Sequence, residues 1–214
     1  MTTQHEKPKF DTCFFERYAK AELVEFLGPR YANLVNRDRP DLQDDALGLG
    51  IEVTRAMHES KKVANAMIND MAGDAVVEVS FSDRNDIITY GYNYGLDNRF
   101  VGRFEYDYWA LALPLQRIIE SKVRKVGDGF YGQMKEFGLF VFSKEQLSHD
   151  DIWRAIEYTA ELQSTNKMVY KYLYISQSNE FFACDLRNHS FRKFDVSIEQ
   201  RRKFYKTAIA DCMP

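Results

Sequence analysis

Two acidic residues in the stretch RPDLQDDALGLGIEVTRA, residues 39–56, have a spacing that suits phosphoryl chemistry. Asp41 follows a proline, and Glu52 lies between Ile51 and Val53 in an apolar, strand-like run. Carboxylates that converge from the ends of neighbouring strands form a hard-oxygen site for Mg²⁺ or Mn²⁺, which keep several waters and take one or two protein carboxylates. Such an ion activates water and stabilises charge on a phosphoryl group. Alternatively, the first acid belongs to a Pro-Asp turn and the second to a solvated strand face.

The same residues resemble the motif of a nuclease superfamily. A helix bearing a Glu, a PD pair and a strand bearing E-x-K form the outline of the PD-(D/E)XK, or restriction-endonuclease-like, superfamily. Pro40-Asp41 and the E-V-T triplet that begins at Glu52 are similar to this motif, although Thr54 stands where the family usually has Lys. The resemblance covers roughly residues 14–142. It implies a nuclease that holds Mg²⁺ or Mn²⁺ at Asp41 and Glu52 and cleaves phosphodiester bonds of DNA or RNA.

The resemblance also implies that an acid of the first helix assists the site. Glu16 matches this acid best, in the segment E-R-Y-A that precedes Leu23. Glu22 is the alternative, because helical spacing places it within the apolar stripe of the same helix.

A lysine of a later helix is positioned to replace the motif lysine. At about 100° per residue, one face of the helix that begins at Pro114 is apolar and includes Lys122. That face consists of Leu115, Ile118, Ile119 and Val126, and the opposite, solvated face is predicted to hold Arg117, Glu120 and Arg124. Lysine is seldom buried without a partner, so Lys122 either reaches past the core edge to water or points at an acid. We predict that its ammonium lies beside Asp41 and Glu52, with Lys125 as second choice.

Nucleic-acid contacts are expected to be local. The formal net charge is -3 and the pI about 5.9, so no strong positive field covers the whole surface. Arg39, Arg55 and Lys125 are the proposed contacts to a phosphate backbone. Further cations near the acids in sequence are Arg37, Lys61 and Lys62. Tyrosines also alternate along the predicted meander, where they either stack on bases or pack within the sheet: Tyr90, Tyr92, Tyr94, Tyr106 and Tyr108.

Local sequence signals predict alternating helices and strands. Gly28-Pro29 ends the first helix, Pro114 begins a later one and Gly127 ends it, so the G-x-G-x-x-G match at 127–132 is a helix end rather than a dinucleotide loop. Predicted helices are 13–27, 60–71, 114–127, one from 148 and 198–211, and predicted strands are 31–37, 49–55, 138–143, 168–176, 180–186 and 191–196, with a three-stranded meander over 75–109. The family order αβββαβ fits if the meander is an insertion or an edge extension.

The whole chain, 1–214, is expected to form a single α/β domain. Its core is placed at about 11–143 and a C-terminal strand and helix extension at 148–214. Three cysteines without a CxxC pair favour a reducing cytoplasm, and neither a signal peptide nor a membrane helix is predicted. Two functions of different classes follow: a metal-dependent nuclease, or a non-catalytic descendant of the fold that binds nucleic acid or a protein.

Overall fold

The chain forms an α/β structure built on one mixed sheet. The computed structural model describes residues 14–56, 114–143 and 146–210; the predicted helix 60–71 and the predicted meander 75–109 lie outside them. Within the described part, the sheet has seven strands in chain order. They are β1 (Val35–Asn36), β2 (Leu42–Asp44), β3 (Leu49–Ala56), β4 (Glu136–Ser143), β5 (Tyr172–Ser176), β6 (Glu180–Asp185) and β7 (Ser190–Asp195).

Parallel pairing is confined to the middle of the sheet. β1, β2 and β3 pair antiparallel, β3 pairs parallel with β4 and β4 with β5, and β5, β6 and β7 pair antiparallel. Parallel neighbours need a crossover connection. The connections contain α2 (Pro114–Gly127) before β4 and α3 (His149–Leu162) before β5, while α1 (Phe14–Leu27) and α4 (Ile198–Ala210) stand near the two ends of the chain.

Each face of the sheet is covered by its own helix pair. Successive side chains of a strand point to opposite faces, and the two cores divide accordingly. One core joins α1 and α4 to side chains such as Ile51, Phe140 and Tyr174. The other joins α2 and α3 to side chains such as Leu139 and Leu173. The central strands are therefore apolar on both faces, as parallel strands covered on both sides usually are.

Most elements predicted within the described ranges are confirmed, but β2 was not predicted, the strand predicted over 168–176 begins only at Tyr172, and the strand predicted over 31–37 was wrong. The segment 31–37 is not a continuous strand, because Pro29–Tyr31 forms a 3-10 turn and only Val35–Asn36 pairs. The Tyr31 side chain turns into the core, and its hydroxyl lies 2.9 Å from that of Tyr174. By contrast, the helix at 114–127 has the predicted bounds. The helix predicted from 148 is also confirmed as α3, and it begins with a capping box in which Ser148 and Asp151 bond each other's backbone N–H groups.

A close backbone approach holds the segment before β2 against β3. A Cβ atom added at Gly50 would lie 2.7 Å from Cγ of Pro40 and 3.0 Å from Cγ of Met134. Only glycine leaves room for Pro40 at this point of β3. Pro40 is followed directly by Asp41, so this contact sets where that carboxylate meets β3. Among the helices of the described ranges, none has the length and apolar character needed to cross a membrane.

A candidate active site at Asp41, Glu52 and Lys122

Glu52 is a buried acid in the middle of the sheet. It pairs in register with Leu139 of β4. Its neighbours Ile51 and Val53 join the core beneath α1, so alternation turns Glu52 to the face covered by α2. Only 6% of the residue is exposed. The interpretation of Glu52 as a solvated strand residue was therefore wrong.

Asp41 lies directly before β2 and is held onto β3. Its Oδ2 accepts a hydrogen bond of 2.7 Å from the backbone N–H of Val53. The residue is buried, which excludes a solvent-facing turn position. Arg39, two residues earlier, has a left-handed backbone with φ of 61°, a conformation that is uncommon for a residue other than glycine. The chain thus bends sharply just before it presents Asp41 to the strand that carries Glu52.

Lys122 reaches the same acids from α2. Its Nζ donates to Oε1 of Glu52 over 2.6 Å, and the lysine is only 8% exposed. The predicted proximity of Lys122 to Glu52 is confirmed, and the alternative that it extends to water was wrong. Its charge also acts on Asp41, where it offsets part of the rise in pKa caused by burial and by the neighbouring acids. A buried ion pair of this kind needs good geometry, because both charges have lost their hydration.

Asp41 is surrounded by negative charge. Burial, together with the charges of Glu52 and Glu16, raises the pKa of Asp41 to about 8. Lys122 and the Val53 N–H oppose the shift. At neutral pH this carboxyl therefore tends to keep its proton, as expected where acids share one buried site. A cation entering the site would displace that proton.

Glu16, rather than Glu22, is the helix α1 acid beside this site. Glu16 is buried in the first turn of α1 and influences Asp41 electrostatically. Glu22 is buried as well, but it interacts with Ser176 at the end of β5. Burial raises the pKa of Glu22 to about 8, against which the Ser176 hydrogen bond acts. The alternative assignment of the helix acid to Glu22 is not supported by its position.

Two tyrosines complete the surroundings of Glu52, and sequence analysis missed both. Tyr131 and Tyr170 are buried, and neither hydroxyl has a hydrogen bond of ordinary geometry to any part of the chain that is described. The Tyr131 hydroxyl is nevertheless close to Glu52 and to the Tyr170 hydroxyl: burial and the charge of Glu52 both raise its pKa. Tyr131 follows the glycine-rich helix end at 127–129, which was the only sequence signal near it.

The predicted cations separate into two places. Arg39 and Lys125 both lie over the ring of Phe130, with distances to its centroid of 4.6 Å and 5.1 Å. Arg55 instead lies 4.6 Å over the ring of Phe15 on α1. Lys61, Lys62 and the alternating tyrosines lie outside the described residues.

One prediction for α2 was wrong. Arg117 was expected on a solvated face but is only 4% exposed. The periodicity of a helix describes its own apolar stripe and does not reveal what covers the remaining faces.

Asp41 and Glu52 are the two carboxylates of the site that could hold a hard divalent cation. Hydrogen bonds engage Oδ2 of Asp41 and Oε1 of Glu52, and the Tyr131 hydroxyl also lies close to the Glu52 carboxylate. Across 14–56, 114–143 and 146–210, no group of three or more His, Cys, Asp or Glu side chains is arranged to hold a metal. Two carboxylates with water and substrate oxygens are a usual environment for Mg²⁺, whereas a structural zinc site needs four protein ligands.

Comparison with known proteins finds no matching family model, no matching curated protein and no matching solved structure. The chemistry of the site must therefore be argued from its own residues.

Proposed function

We propose that this chain is a metal-dependent nuclease of restriction-endonuclease-like architecture that cleaves phosphodiester bonds. The observation that carries the proposal is the 2.6 Å contact between Lys122 Nζ and Glu52 Oε1 at a buried pair of acids. The motif lysine is replaced by Thr54, and Lys122 brings a cation to the same acids from α2. Burial raises the pKa of Asp41, one of these acids, to about 8, and a buried ionisable group with a shifted pKa and charged neighbours is characteristic of functional sites.

The order of the elements supports the same proposal. Helix α1, the three strands β1 to β3, helix α2 and strand β4 follow one another in the described part of the chain. This agrees with the αβββαβ outline of the PD-(D/E)XK superfamily. Asp41 lies directly before the second strand and Glu52 within the third, as in the resemblance noted from the sequence.

In the proposed mechanism, Asp41 and Glu52 would hold Mg²⁺ or Mn²⁺, which would supply a water of lowered pKa and charge compensation for the phosphate. The Val53 N–H fixes the Asp41 carboxylate. Glu52 holds the Lys122 ammonium in place, and Lys122 stabilises the negative charge that develops on the phosphate oxygens. Burial strengthens this effect, because few waters screen the charges.

Metal binding and cleavage test the proposal separately. Calorimetry with Mn²⁺ should show binding to the wild type and none to Asp41→Asn or Glu52→Gln, since each change removes a hard anionic ligand and little volume. Wild-type protein should then cleave at least one single-stranded, duplex or branched DNA or RNA in Mg²⁺ or Mn²⁺ and be inactive in EDTA. Equal Mn²⁺ affinity in all three proteins would contradict the metal site.

The second function is a non-catalytic protein of the same fold that binds nucleic acid or a protein partner. It is favoured by Thr54 at the motif lysine position and by the limited donor set, which offers two carboxylates rather than three in the described residues. Mn²⁺ binding without cleavage of any substrate would support this alternative and contradict the nuclease.

A further inference from the structure

Phe130 is an exposed aromatic residue whose position is fixed by the end of helix α2. The N–H of Gly129 donates to the carbonyl of Val126, and the N–H of Phe130 donates to the carbonyl of Lys125. Gly129 has a positive φ of 71°. This pattern is a Schellman motif, which terminates a helix and often adds a side-chain contact between the residues occupied here by Phe130 and Lys125. Phe130 is 42% exposed.

Two cations converge on this ring from two different elements. The Arg39 guanidinium is 4.6 Å and the Lys125 ammonium 5.1 Å from the ring centroid. Arg39 also pairs with Asp38 at 3.3 Å, but both side chains are more than half exposed, so that pair is weak.

The other exposed aromatic residue of the described ranges, Trp153, is also 42% exposed and packs on Phe191. Among the described residues, no cation lies over the Trp153 ring.

This cluster of Arg39, Lys125 and Phe130 adjoins the candidate active site. Arg39 precedes Asp41 by two residues, Lys125 follows Lys122 by about one helical turn, and Phe130 is bonded to Tyr131. The rings of Phe130 and Tyr131 meet edge to face, with 5.2 Å between centroids. Tyr131 in turn lies beside Glu52. A substrate with its phosphate at Asp41 and Glu52 would therefore meet the cluster with a neighbouring nucleotide.

The chemistry of the cluster matches an unpaired nucleotide. A phenylalanine ring or a planar guanidinium offers a flat face on which a base stacks, and cations bind the adjoining phosphate. Phe130 has no polar side-chain atom, so stacking on it would not distinguish one base from another. A base within a duplex is already covered by its neighbours, and single-stranded segments expose theirs.

We infer that the cluster of Arg39, Lys125 and Phe130 binds an unpaired base and the adjoining phosphate of single-stranded nucleic acid, next to the bond to be cleaved. The inference rests on the proposed nuclease function for the location of that bond. Binding of a single strand to the cluster requires no cleavage, so the inferred binding site and the proposed nuclease function can be contradicted independently.

The test measures binding by fluorescence anisotropy in EDTA, where a metal-dependent nuclease is inactive. Labelled single-stranded DNA, single-stranded RNA and duplex DNA of one mixed sequence serve as probes. We expect wild type to bind at least one single strand more tightly than the duplex, and Phe130→Ala to weaken that binding roughly tenfold. Phe130→Trp should restore it, because it retains an aromatic face. Trp153→Ala is the matched control and should stay within about twofold of wild type.

Charge contacts provide a second measurement. Arg39→Ala and Lys125→Ala should each reduce the slope of log affinity against log salt by about 0.7 for a single strand. A preference of wild type for the duplex, no binding to any probe, or equal affinity of Phe130→Ala and wild type would overturn the inference. Parallel cleavage assays in Mn²⁺ distinguish the inferred binding site from the proposed nuclease function. If wild type cleaves nucleic acid and Phe130→Ala binds single strands as tightly as wild type, only the binding site is contradicted. Phe130-dependent binding without cleavage contradicts only the nuclease.

Discussion

The Lys122 ammonium lies 2.6 Å from Oε1 of Glu52, although the two residues are 70 positions apart in the chain. One is on helix α2, and the other is at the centre of strand β3. Both are nearly inaccessible to solvent. This ion pair joins helix α2 to the strand that carries the candidate metal ligand Glu52. Its loss should therefore reduce both the stability of the fold and the rate of cleavage.

Lys122→Met should lower both stability and cleavage. The variant leaves Glu52 buried without its cation, which costs about 3 kcal/mol, and cleavage should fall by about 100-fold or more if the ammonium stabilises developing charge. Denaturant unfolding and a single-turnover cleavage assay provide the two measurements. Lys206→Met, a change at an exposed lysine of α4, is the control and should alter neither. Full cleavage by Lys122→Met in Mn²⁺ would reduce Lys122 to a structural counter-ion.

Mn²⁺ affinity should rise with pH and release a proton. The pKa of Asp41 is raised to about 8, so below that pH the carboxyl must lose its proton before it can hold an ion. Affinity should therefore rise by about tenfold per pH unit towards pH 8 and then level off. Calorimetry in buffers of different ionisation enthalpy counts the protons, with about one released per ion at pH 6.5 and almost none above pH 9. A pH-independent affinity would contradict the protonated state of Asp41.

Glu22→Gln should stabilise the fold at alkaline pH. Burial raises the pKa of Glu22 from 4.5 to about 8, so between these values the native state keeps a proton that the unfolded state has lost. Stability consequently falls as pH rises through this window, and the neutral glutamine avoids that loss. We expect a gain of at least about 1 kcal/mol at pH 8 and a smaller one at pH 5, measured by denaturant unfolding.

Glu25→Gln is the matched control for that series. Glu25 is on the same helix but exposed, and it pairs with Lys203 at 2.7 Å. Its removal should change stability by less than about 1 kcal/mol and should not add a gain at alkaline pH. Equal effects of the two substitutions would show that Glu22 is not held neutral by burial.

Tyr131→Phe should raise stability while lowering activity. The buried Tyr131 hydroxyl has no hydrogen bond of ordinary geometry to the described residues, although it lies close to Glu52 and the Tyr170 hydroxyl. Its removal should therefore stabilise the fold by about 1 kcal/mol. If the hydroxyl positions water or phosphate beside Glu52, cleavage should fall about tenfold or more, whereas Mn²⁺ affinity should stay within about twofold. Tyr31→Phe is the contrast: that hydroxyl meets Tyr174, and its loss should cost about 1 kcal/mol. A loss of stability in Tyr131→Phe would assign its hydroxyl a structural role.

The sequence by itself determined the local elements with strong start and stop signals. Pro114 begins α2 and Gly127 ends it as predicted. Proline suits the first turn of a helix, and Gly129, two residues after Gly127, has the left-handed conformation that ends helices. Helical phase placed Lys122 on the buried face, and its need for an anionic partner pointed to an acid. The acids Asp41 and Glu52 were selected by residue type and a resemblance, before any contact between them was known.

Tertiary structure decided which of those residues meet. Helical phase turns Lys122 inward, but only the crossover that lays α2 on the Glu52 face of β3 supplies the partner. Helical phase also wrongly predicted that Arg117 is exposed, because the phase of a helix contains no information about what covers its other faces. Likewise, the choice of Glu16 over Glu22 and the gathering of Arg39 and Lys125 at Phe130 depend on segments that are distant in sequence. Side-chain periodicity is a local property, whereas burial and charge pairing depend on chain packing.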